Sequence, residues 1–468
     1  MARLSPSTDR LMAGAAMVDI TPDIGIQLAG DIGRWRPTEE IREPLHAHCL
    51  VFAQGDQMFC MLVLDLCAIS HQCTHEIRQR AAERFGIPAN ALMIHTTQNH
   101  AAPALGHLII WDDPQLFPED LPWLRGGDDA YIEPTIQNIL NGMGEAIAKL
   151  APVTVASGRG IDGRVAFNRR FVMRDGTAMC NPPPADPRIL YCEGPADPEV
   201  GVTTFTNAAE QSVAVILHHT CHPAAGYPFR YTLGDWPGVW GTLVSQHLGN
   251  GCVPLVVNGC CGNINAPNFL RPTPRWPDWD YTHTDMGKKL TETTVSALNN
   301  MAPVSPPLLR FASRHFPIGM RPLQSDVWTS AKKLITENPT PLWEDDQKTQ
   351  ASWEWIYAAS ILGLQARLQS DPFFDYEIQA VRIGNTVILA LIGEPFVEAQ
   401  LKIKLESAAE FTFLAHMCNG YVGYIPTPAA LQRGGYETEP AAWSCLVPEA
   451  LEMIQDNSLQ LIEELFDS

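Results

Sequence analysis

Short apolar runs of strand length alternate along this chain with longer segments whose apolar residues recur at helical spacing. The first 110 residues hold two strand-like runs around the turn Gly55-Asp56, a helix-like segment that ends at Gly86, and a third apolar run, ALMIHTTQ. Strands that alternate with helices in this way pack as a sheet covered by helical layers. We therefore predict an α/β fold with a mixed β-sheet core flanked by helices.

The rest of the chain continues the alternation and adds one long connection. The pair Gly384-Asn385 predicts a hairpin, and residues 326–370 are mainly helical with breaks at Pro339 and Pro341. Residues 181–198 are rich in proline and too long for an ordinary connection, so we predict a lid or a substrate loop there. No internal repeat emerges, and we predict a single domain over residues 1–468.

The composition argues against several classes of partner. The chain has 32 Lys and Arg against 52 Asp and Glu, and the net charge of −20 would repel nucleic acid and anionic lipid headgroups. No apolar run approaches the roughly 20 residues of a membrane span, and the N-terminal run LMAGAAMV lacks the form of a secretory signal. We expect a cytoplasmic protein that binds a small-molecule substrate, without nucleic acid or membrane, and a homo-oligomer is compatible with this sequence. Twelve cysteines without a CxxC repeat predict mostly reduced, buried thiols.

The stretch MIHTTQNHAAPA carries two histidines behind an apolar run. Histidine is the commonest protein ligand of zinc, and its near-neutral pKa also suits proton transfer. We expect His95 within the strand, whereas His100 follows it, where open α/β sheets carry ligand-binding groups. Gln98 lies between them, and an amide is a poor zinc ligand. This stretch alone leaves the presence of a metal site open.

Other apolar runs also end in polar groups. His222 follows one run, the glycine-rich turn at 258–267 follows another, and Glu394 lies in ALIGEPF. His222 and Glu394 have the chemistry of catalytic zinc ligands, which leave one position for water. The alternatives stay open, because a histidine after a strand is often satisfied by its neighbours and Glu394 could cap a turn. His218 and His219 point to opposite faces of a strand, so at most one shares the side of a site.

An ordered set of short motifs resembles the catalytic domain of the neutral/alkaline (non-lysosomal) ceramidase family. The motifs run through nearly the whole chain: GAAMVDITPDIGIQLAG, LVLDL, QNHAAPA, FNRRFVMRDGT, DPEVGVTTF, CHPAAG, GDWPG, NGCCGNINAP, IGEPF and NGYVGYIPTPAALQRGGYE. No single motif is decisive, but their common order is specific. The resemblance implies a neutral ceramidase-like catalytic domain, without the C-terminal immunoglobulin-like domain that ceramidases proper add.

The resemblance also implies a zinc ion and most of its ligands. His222, Glu394 and Tyr424 match three of the four ligand positions of the family. The remaining position, a histidine in the family, falls on Gln98 in this chain. The next histidine of the same motif resembles an oxyanion or substrate contact and falls on His100.

Further positions either keep or change the family pattern. Arg169 is a fixed cation suited to gripping a carboxylate or phosphate, and Tyr436 resembles a contact of the transition state. Gly234 replaces the serine that ceramidases place before the aspartate, here Asp235, and Asn263 replaces a frequent aspartate. These changes argue against cleavage of ceramide itself. With Arg169, we predict that Gln98 and Asn263 contact the substrate.

We therefore expect a zinc-dependent hydrolase of the ceramidase-like superfamily that acts on a small polar substrate. His222, Glu394 and Tyr424 would hold the metal, with His100 as fourth ligand or oxyanion donor, and catalysis would involve His100, Asp235 and Tyr436.

Two alternatives remain from the sequence. One is a metal-independent glycoside or lactone hydrolase on the same fold, in which Asp235, Glu394 and His100 act as general acids and bases. The other is a non-catalytic protein that binds a sugar or metabolite.

Overall fold

A computed structural model describes residues 10–108, 118, 121–249, 251–272, 282–304 and 307–467. The strands within these ranges are β1 (Met12–Asp19), β2 (Glu40–Ile41), β3 (His46–Gln54), β4 (Gln57–Leu64), β5 (Leu92–Thr96), β6 (Ala151–Ile161), β7 (Phe167–Asn168), β8 (Arg170–Met173), β9 (Ala178–Cys180), β10 (Ile189–Cys192), β11 (Glu199–Asn207), β12 (Ser212–His219), β13 (Tyr231–Thr232), β14 (Val253–Asn258), β15 (Ile264–Asn265), β16 (Ala302–Val304), β17 (Leu309–Gly319), β18 (Phe373–Ile383), β19 (Thr386–Leu391), β20 (Glu394–Pro395), β21 (Phe411–Ala415) and β22 (Tyr424–Ile425).

The α-helices in the same ranges are α1 (His71–Phe85), α2 (Asp129–Ala148), α3 (Asp235–Leu248), α4 (His283–Leu298), α5 (Ser325–Glu337), α6 (Trp353–Ser370), α7 (Val397–Glu406), α8 (Pro428–Arg433) and α9 (Ala450–Asp467). Several end where the sequence predicts. Helix α1 stops at Gly86, whose φ of 73° is readily adopted by glycine. Helix α5 ends two residues before Pro339, and α6 resumes after the predicted break.

The largest sheet has nine strands in the order β14-β12-β11-β6-β1-β3-β4-β5, and β16 pairs with β6 at its side. Most neighbours in it are antiparallel, but β12 with β14 and β4 with β5 are parallel. The predicted mixed sheet is therefore confirmed. The predicted hairpin around Gly55-Asp56 is also present, as the antiparallel pair β3 and β4.

A second sheet of four strands has the order β17-β18-β19-β21. Its β18–β19 hairpin turns at Gly384-Asn385, as predicted. One hydrophobic core contains side chains of both sheets, including Phe52 and Phe205 from the first and Val381 and Phe413 from the second. The two sheets therefore pack together through apolar side chains, and helices cover the remaining faces. That residues 1–468 form a single domain stays a prediction.

The proline-rich segment is not wholly a loop. Ile189–Cys192 forms β10, which pairs with β8 and lies in a three-stranded sheet with β9. The segment predicted as a lid or substrate loop therefore contains a four-residue strand that was not predicted, because so short a strand among prolines carries little periodicity. The part of the segment that precedes it, Asn181–Pro184, lies against a cavity.

The cysteines agree with the expectation of mostly buried thiols. All twelve cysteines are free, and all but Cys180 and Cys192 are buried. Among the described residues, no helix combines the length and the apolar composition that crossing a bilayer requires.

Candidate active site

Four segments that are distant in sequence meet at one place, and we call His100, His222, Glu394 and Tyr424 the central site. His100 follows β5 and His222 follows β12. Glu394 and Tyr424 lie opposite each other in the short parallel pair of β20 and β22. The Glu394 backbone N–H donates to Gly423 O at 2.8 Å, which fixes the register of that pair. Parallel pairing thus places a carboxylate beside a phenol.

A cavity of about 860 Å³ opens onto this site. Its walls include His100, Arg169, His222, Tyr424 and Tyr436, and residues 181–184 of the proline-rich segment. Several residues that were not predicted from the sequence also line it: Gly30, Asp31, Ile32, Arg34, Ala224, Tyr227, Pro228, Asn265, Phe269 and Trp353. A smaller space of about 70 Å³ adjoins it and is lined by Gln98, Glu394 and Tyr421 as well as by residues of the larger cavity. The site therefore has a roomy outer part and a narrow inner end.

The two histidines of the central site are held in the same way. His100 Nδ1 lies 3.1 Å from Gly30 O, and His222 Nδ1 lies 3.1 Å from Ile264 O. Since a carbonyl can only accept, each Nδ1 carries the proton and each Nε2 keeps a bare lone pair. Burial lowers the pKa of both imidazoles, and the charge of Arg169 lowers both further, joined at His100 by that of Arg36. Both rings are therefore neutral near pH 7.

The side chain of Glu394 completes this group. Its Oε2 lies 3.3 Å from His222 Nε2, and its Oε1 accepts from the Tyr421 hydroxyl at 3.2 Å. The lone pairs of a neutral imidazole and a carboxylate face each other across that 3.3 Å gap, which is repulsive unless a cation or a proton lies between them. The buried atoms Nε2 of His100, Nε2 of His222 and Oε2 of Glu394 form no hydrogen bond within the protein.

His222 and Glu394 fit a divalent cation as they stand, whereas His100 lies farther from them. A backbone carbonyl on Nδ1 and a free Nε2 is the usual arrangement of a zinc-binding histidine. The ligand atoms of His100, His222 and Glu394 do not all lie within 4.8 Å of one another, and the rings of His100 and His222 have centroids 5.7 Å apart. His222 and Glu394 are thus in place to share an ion, and His100 would have to approach them to become a further ligand.

Arg169 is part of a buried ion-pair network beside Tyr424. Its Nη2 donates to the Tyr424 hydroxyl at 3.3 Å and to Gly262 O at 2.8 Å, and its Nε donates to Glu437 at 3.0 Å. Arg170 Nη1 donates to the other oxygen of Glu437 at 2.7 Å. Burial alone would lower the pKa of Arg169, but neighbouring acidic groups raise it overall, so the guanidinium keeps its charge. The network holds one fixed cation at the cavity wall.

Aromatic rings form the wall on the other side of Tyr424. The Tyr436 ring lies with its centroid 5.5 Å from that of Tyr424 and 5.7 Å from that of Trp353. Trp353 also contacts Trp443, with centroids 4.8 Å apart, yet it stays 41% exposed. A partly exposed indole at the mouth of a polar cavity offers an apolar face to a bound molecule.

Two solved structures resemble this architecture over almost the whole chain. A crystal structure of neutral ceramidase from Pseudomonas aeruginosa superposes with a TM-score of 0.71 at 16% identity, covering 98% of this chain and 75% of that one. A ceramidase complexed with C2 gives a TM-score of 0.72 at 15% identity, covering 98% and 76%. The chain has a neutral ceramidase-like fold. The motif resemblance is therefore confirmed for the fold, whereas no protein-family model and no curated protein matches the sequence.

On the neutral ceramidase-like fold, Gln98 lies at the inner end of the site. Its amide oxygen accepts a hydrogen bond from Cys261 Sγ at 3.3 Å, and it lines the smaller space with Glu394. Its backbone has a φ of 64°, in the left-handed region that costs a non-glycine residue free energy. Such strain is commonest at functional sites, although here the amide is bound to a thiol rather than free.

Two residues predicted for the site lie elsewhere. Asp235 is fully buried at the first turn of α3, where it accepts from the N–H groups of Ala225 at 2.8 Å and Trp236 at 2.6 Å. Asn263 accepts from the Val397 N–H at 2.9 Å and donates to Glu398 at 2.9 Å. Neither side chain lines the cavities of the central site. Both carry backbone hydrogen bonds that brace the surrounding loops.

The residues around Gly30 also lie at the site, although they were not predicted from the sequence. Asp31 and Arg34 form an ion pair of 2.6 Å on the cavity wall. Gly30 itself has a φ of 89°, and a Cβ there would lie 2.5 Å from His100 Nδ1. The signal was the end of the first motif, which stops at Gly30, immediately before these charges.

Proposed function

We propose that the chain is a zinc-dependent hydrolase of the ceramidase-like superfamily that acts on a small polar substrate rather than on ceramide. His222, Glu394 and Tyr424 would hold the metal, with His100 as the fourth ligand. The observation that carries the proposal is the pair of His222 and Glu394. Their unpartnered, buried lone pairs face each other at 3.3 Å, and a metal ion removes the resulting repulsion.

Zinc in such a set of nitrogen and oxygen ligands supplies Lewis acidity, which polarises a carbonyl and lowers the pKa of water. The protein residues do the rest of the work. The proton on Nδ1 of His100 and of His222 is held by a backbone carbonyl. This leaves both Nε2 atoms free as ligands or bases and argues against His100 as an oxyanion donor.

Arg169 and Tyr436 are proposed to position the substrate. The Arg169 guanidinium is held by Glu437 and Gly262 O, so it presents its charge without a further cost in side-chain entropy. Burial raises the pKa of the Tyr436 hydroxyl, and the Glu394 charge adds to the effect. The phenol therefore stays protonated and able to donate a hydrogen bond to an oxygen that gains charge during the reaction.

The proposed substrate class follows from the cavity. Asp31, Arg34, Asn181 and Asn265 distribute charges and amides over its walls. Asp31 pairs with Arg34 and Asn265 donates to Asn181, but each group has further hydrogen-bonding atoms that water can reach. A long alkyl chain would displace that water without replacing its hydrogen bonds, at a cost of about 1 to 3 kcal/mol for each polar atom left unpaired. A compact molecule with hydroxyl or anionic groups can pair with them instead.

The test combines metal analysis with two variants. Protein purified without a metal-affinity column should contain at least one zinc per chain and should lose turnover of an ester and amide panel when treated with a chelator. His222→Ala and Glu394→Gln should each contain about one zinc per chain less than the wild type and should lose turnover. His75→Ala, at an exposed position of α1, is the matched control and should change neither. A zinc content that is the same in the wild type and in the two central-site variants, with activity indifferent to chelators, would overturn the proposal.

The amide of Gln98 supports a second candidate function. Because an amide stands at the position where the family has a ligand histidine, a metal-independent hydrolase using Glu394 and His100 as acid and base is the second candidate. Asp235, the third acid–base residue predicted for this alternative, does not line the cavity. This weakens the hypothesis of a metal-independent hydrolase. A bell-shaped pH profile of kcat/KM that a chelator leaves unchanged would favour the metal-independent hydrolase.

The third hypothesis is a non-catalytic binding protein. Binding of a sugar without turnover on a broad ester, amide and glycoside panel would favour it.

A further inference from the structure

A second group of metal-ligand side chains lies on the β3–β4 hairpin, and we call His46, His48 and Asp65 the hairpin site. His46 and His48 are two residues apart in β3, so their side chains project from the same face of the sheet. Asp65 directly follows β4, the antiparallel partner of β3, whose register places Leu64 opposite Ala47. In the sequence, these ligands appear as HAH followed by LDL, although they were not predicted as a site.

Backbone hydrogen bonds fix the position of Asp65 relative to the first histidine. The Asp65 N–H donates to His46 O at 3.0 Å, and the His46 N–H donates to the Asp65 carboxylate at 3.0 Å. The carboxylate is thus anchored by the main chain before any metal is considered. Preorganised ligands of this kind lose little entropy when an ion binds.

The spacing of the ligand atoms suits one shared ion. Asp65 Oδ2 lies 3.4 Å from His48 Nε2 and 3.8 Å from His46 Nδ1. Ligand atoms bound at about 2.1 Å to one tetrahedral or octahedral metal are about 3.0 to 3.5 Å apart. Within the described ranges, this is the only trio of His, Cys, Asp or Glu residues whose ligand atoms all lie within 4.8 Å of one another.

The hairpin site faces a cavity of its own. The cavity has a volume of about 550 Å³, and its walls include Glu43, Gly234 and Pro237 in addition to the three ligands. None of the three ligands lines the cavities of the central site. The side chains of His46, His48 and Asp65 are 26%, 11% and 8% exposed, so an ion can enter from solvent while remaining largely desolvated.

We propose that His46, His48 and Asp65 bind a divalent first-row transition metal, such as Zn²⁺, independently of the central site. Two imidazoles and one carboxylate suit zinc and its neighbours better than Mg²⁺ or Ca²⁺, which prefer oxygen ligands. Three protein ligands leave at least one coordination position, which here opens towards the cavity. The site therefore also takes a small exogenous ligand, of which an anion such as azide is the simplest probe.

The test uses full-length protein in which the central site is disabled by His222→Ala and Glu394→Gln. After removal of metals, Co²⁺ titration of this protein should give one equivalent of bound ion with visible d–d absorption. Adding His48→Ala, or the milder His46→Gln, should weaken Co²⁺ binding at least about 100-fold, since each removes a direct ligand. His315→Ala is the control, because this histidine is 54% exposed and distant from the trio in sequence.

A third variant protects the test against misfolding. Asp65→Asn keeps a carbonyl oxygen that accepts from the His46 N–H but loses the negative charge. It should fold with an unchanged circular dichroism spectrum, and its affinity for Co²⁺ should nevertheless fall. Azide should shift the d–d bands of the bound ion. Failure of the His222→Ala/Glu394→Gln protein to bind Co²⁺ would overturn the metal site, and so would Co²⁺ binding that stays equally tight after His48→Ala or His46→Gln is added to it. An azide-insensitive spectrum would overturn the open position. Because the central site is already disabled, neither result depends on the proposed hydrolase.

Discussion

The central site and the hairpin site use the same kinds of side chain but are assembled in different ways. The hairpin site comes from one antiparallel strand pair, so its geometry follows from local register. The central site takes its members from the ends of β5 and β12 and from the paired β20 and β22. It also rests on the ion pairs around Glu437. The geometry of the hairpin site thus depends on neighbouring residues of the chain, whereas that of the central site depends on the packing of distant elements.

The largest expected effect separates the two sites by activity. His222→Ala should lower kcat/KM on a substrate that the panel identifies by about 1,000-fold, or about 4 kcal/mol, because it removes a ligand from the proposed catalytic metal. His48→Ala should change the same kcat/KM by less than about 3-fold, since the hairpin site does not line the cavity. Steady-state kinetics on both variants checks this. Equal losses would show that the two sites act together.

The next prediction concerns the contact between Gly30 and His100. Gly30→Ala places a Cβ 2.5 Å from His100 Nδ1 and should displace that ring, which lowers kcat/KM and zinc affinity by about 10- to 100-fold. Gly25→Ala is a matched control, because Gly25 has a similar φ of 98° but no atom within 4 Å of the added Cβ. Both should lose about 1 kcal/mol of stability through backbone strain. If the two variants have the same activity, His100 is not required.

The third prediction tests the ion pairs that support the central site. Burial alone would raise the pKa of Glu437, but the charges of Arg169 and Arg170 outweigh it and lower the pKa below 4.5. A pKa that is lower in the folded state adds stability above the unfolded pKa, and this stability is lost as the pH falls through the folded pKa. Glu437→Gln leaves the buried Arg169 and Arg170 with less counter-charge, so it should lose about 3 kcal/mol of the free energy of unfolding near neutral pH. Its stability should also decline less steeply below about pH 4.5.

Urea unfolding of wild type and Glu437→Gln at several pH values measures this difference. Cobalt binding at the hairpin site should be unchanged in the variant at pH 7, because that site does not contact the network. A decline with acid that is equally steep in both proteins would contradict the assignment.

The smallest effect is expected for a substitution of Asp235. Asp235 is the first residue of α3, and Gly234 beside it lines the cavity of the hairpin site. Asp235→Asn can keep the φ of 54°, which asparagine tolerates, but leaves one of two backbone N–H groups without an acceptor. We expect a loss of about 1 kcal/mol in stability and less than about 3-fold in kcat/KM. A loss of 100-fold or more in kcat/KM would restore Asp235 as an acid–base group.

Much of the fold was readable from the sequence because it depends on local patterns. The turn at Gly55-Asp56, the end of α1 at Gly86 and the hairpin at Gly384-Asn385 each follow from residues within a few positions. Ile189–Cys192 was missed, since a four-residue strand among prolines carries little periodicity. The motif order predicted the neutral ceramidase-like fold, which the superposed structures confirm.

The two sites show the same contrast between local patterns and long-range packing. By itself, the sequence placed His100, His222 and Glu394 at the ends of separate apolar runs, and the family resemblance linked them to one another and to Tyr424. Their meeting was decided by the tertiary structure, because the parallel pairing of β20 with β22 and the carbonyls that hold Nδ1 of the two histidines involve residues far apart in the chain. The same packing turned the side chains of Asp235 and Asn263 towards backbone N–H groups instead. Sequence sets local register, whereas long-range packing decides which polar side chains share a cavity.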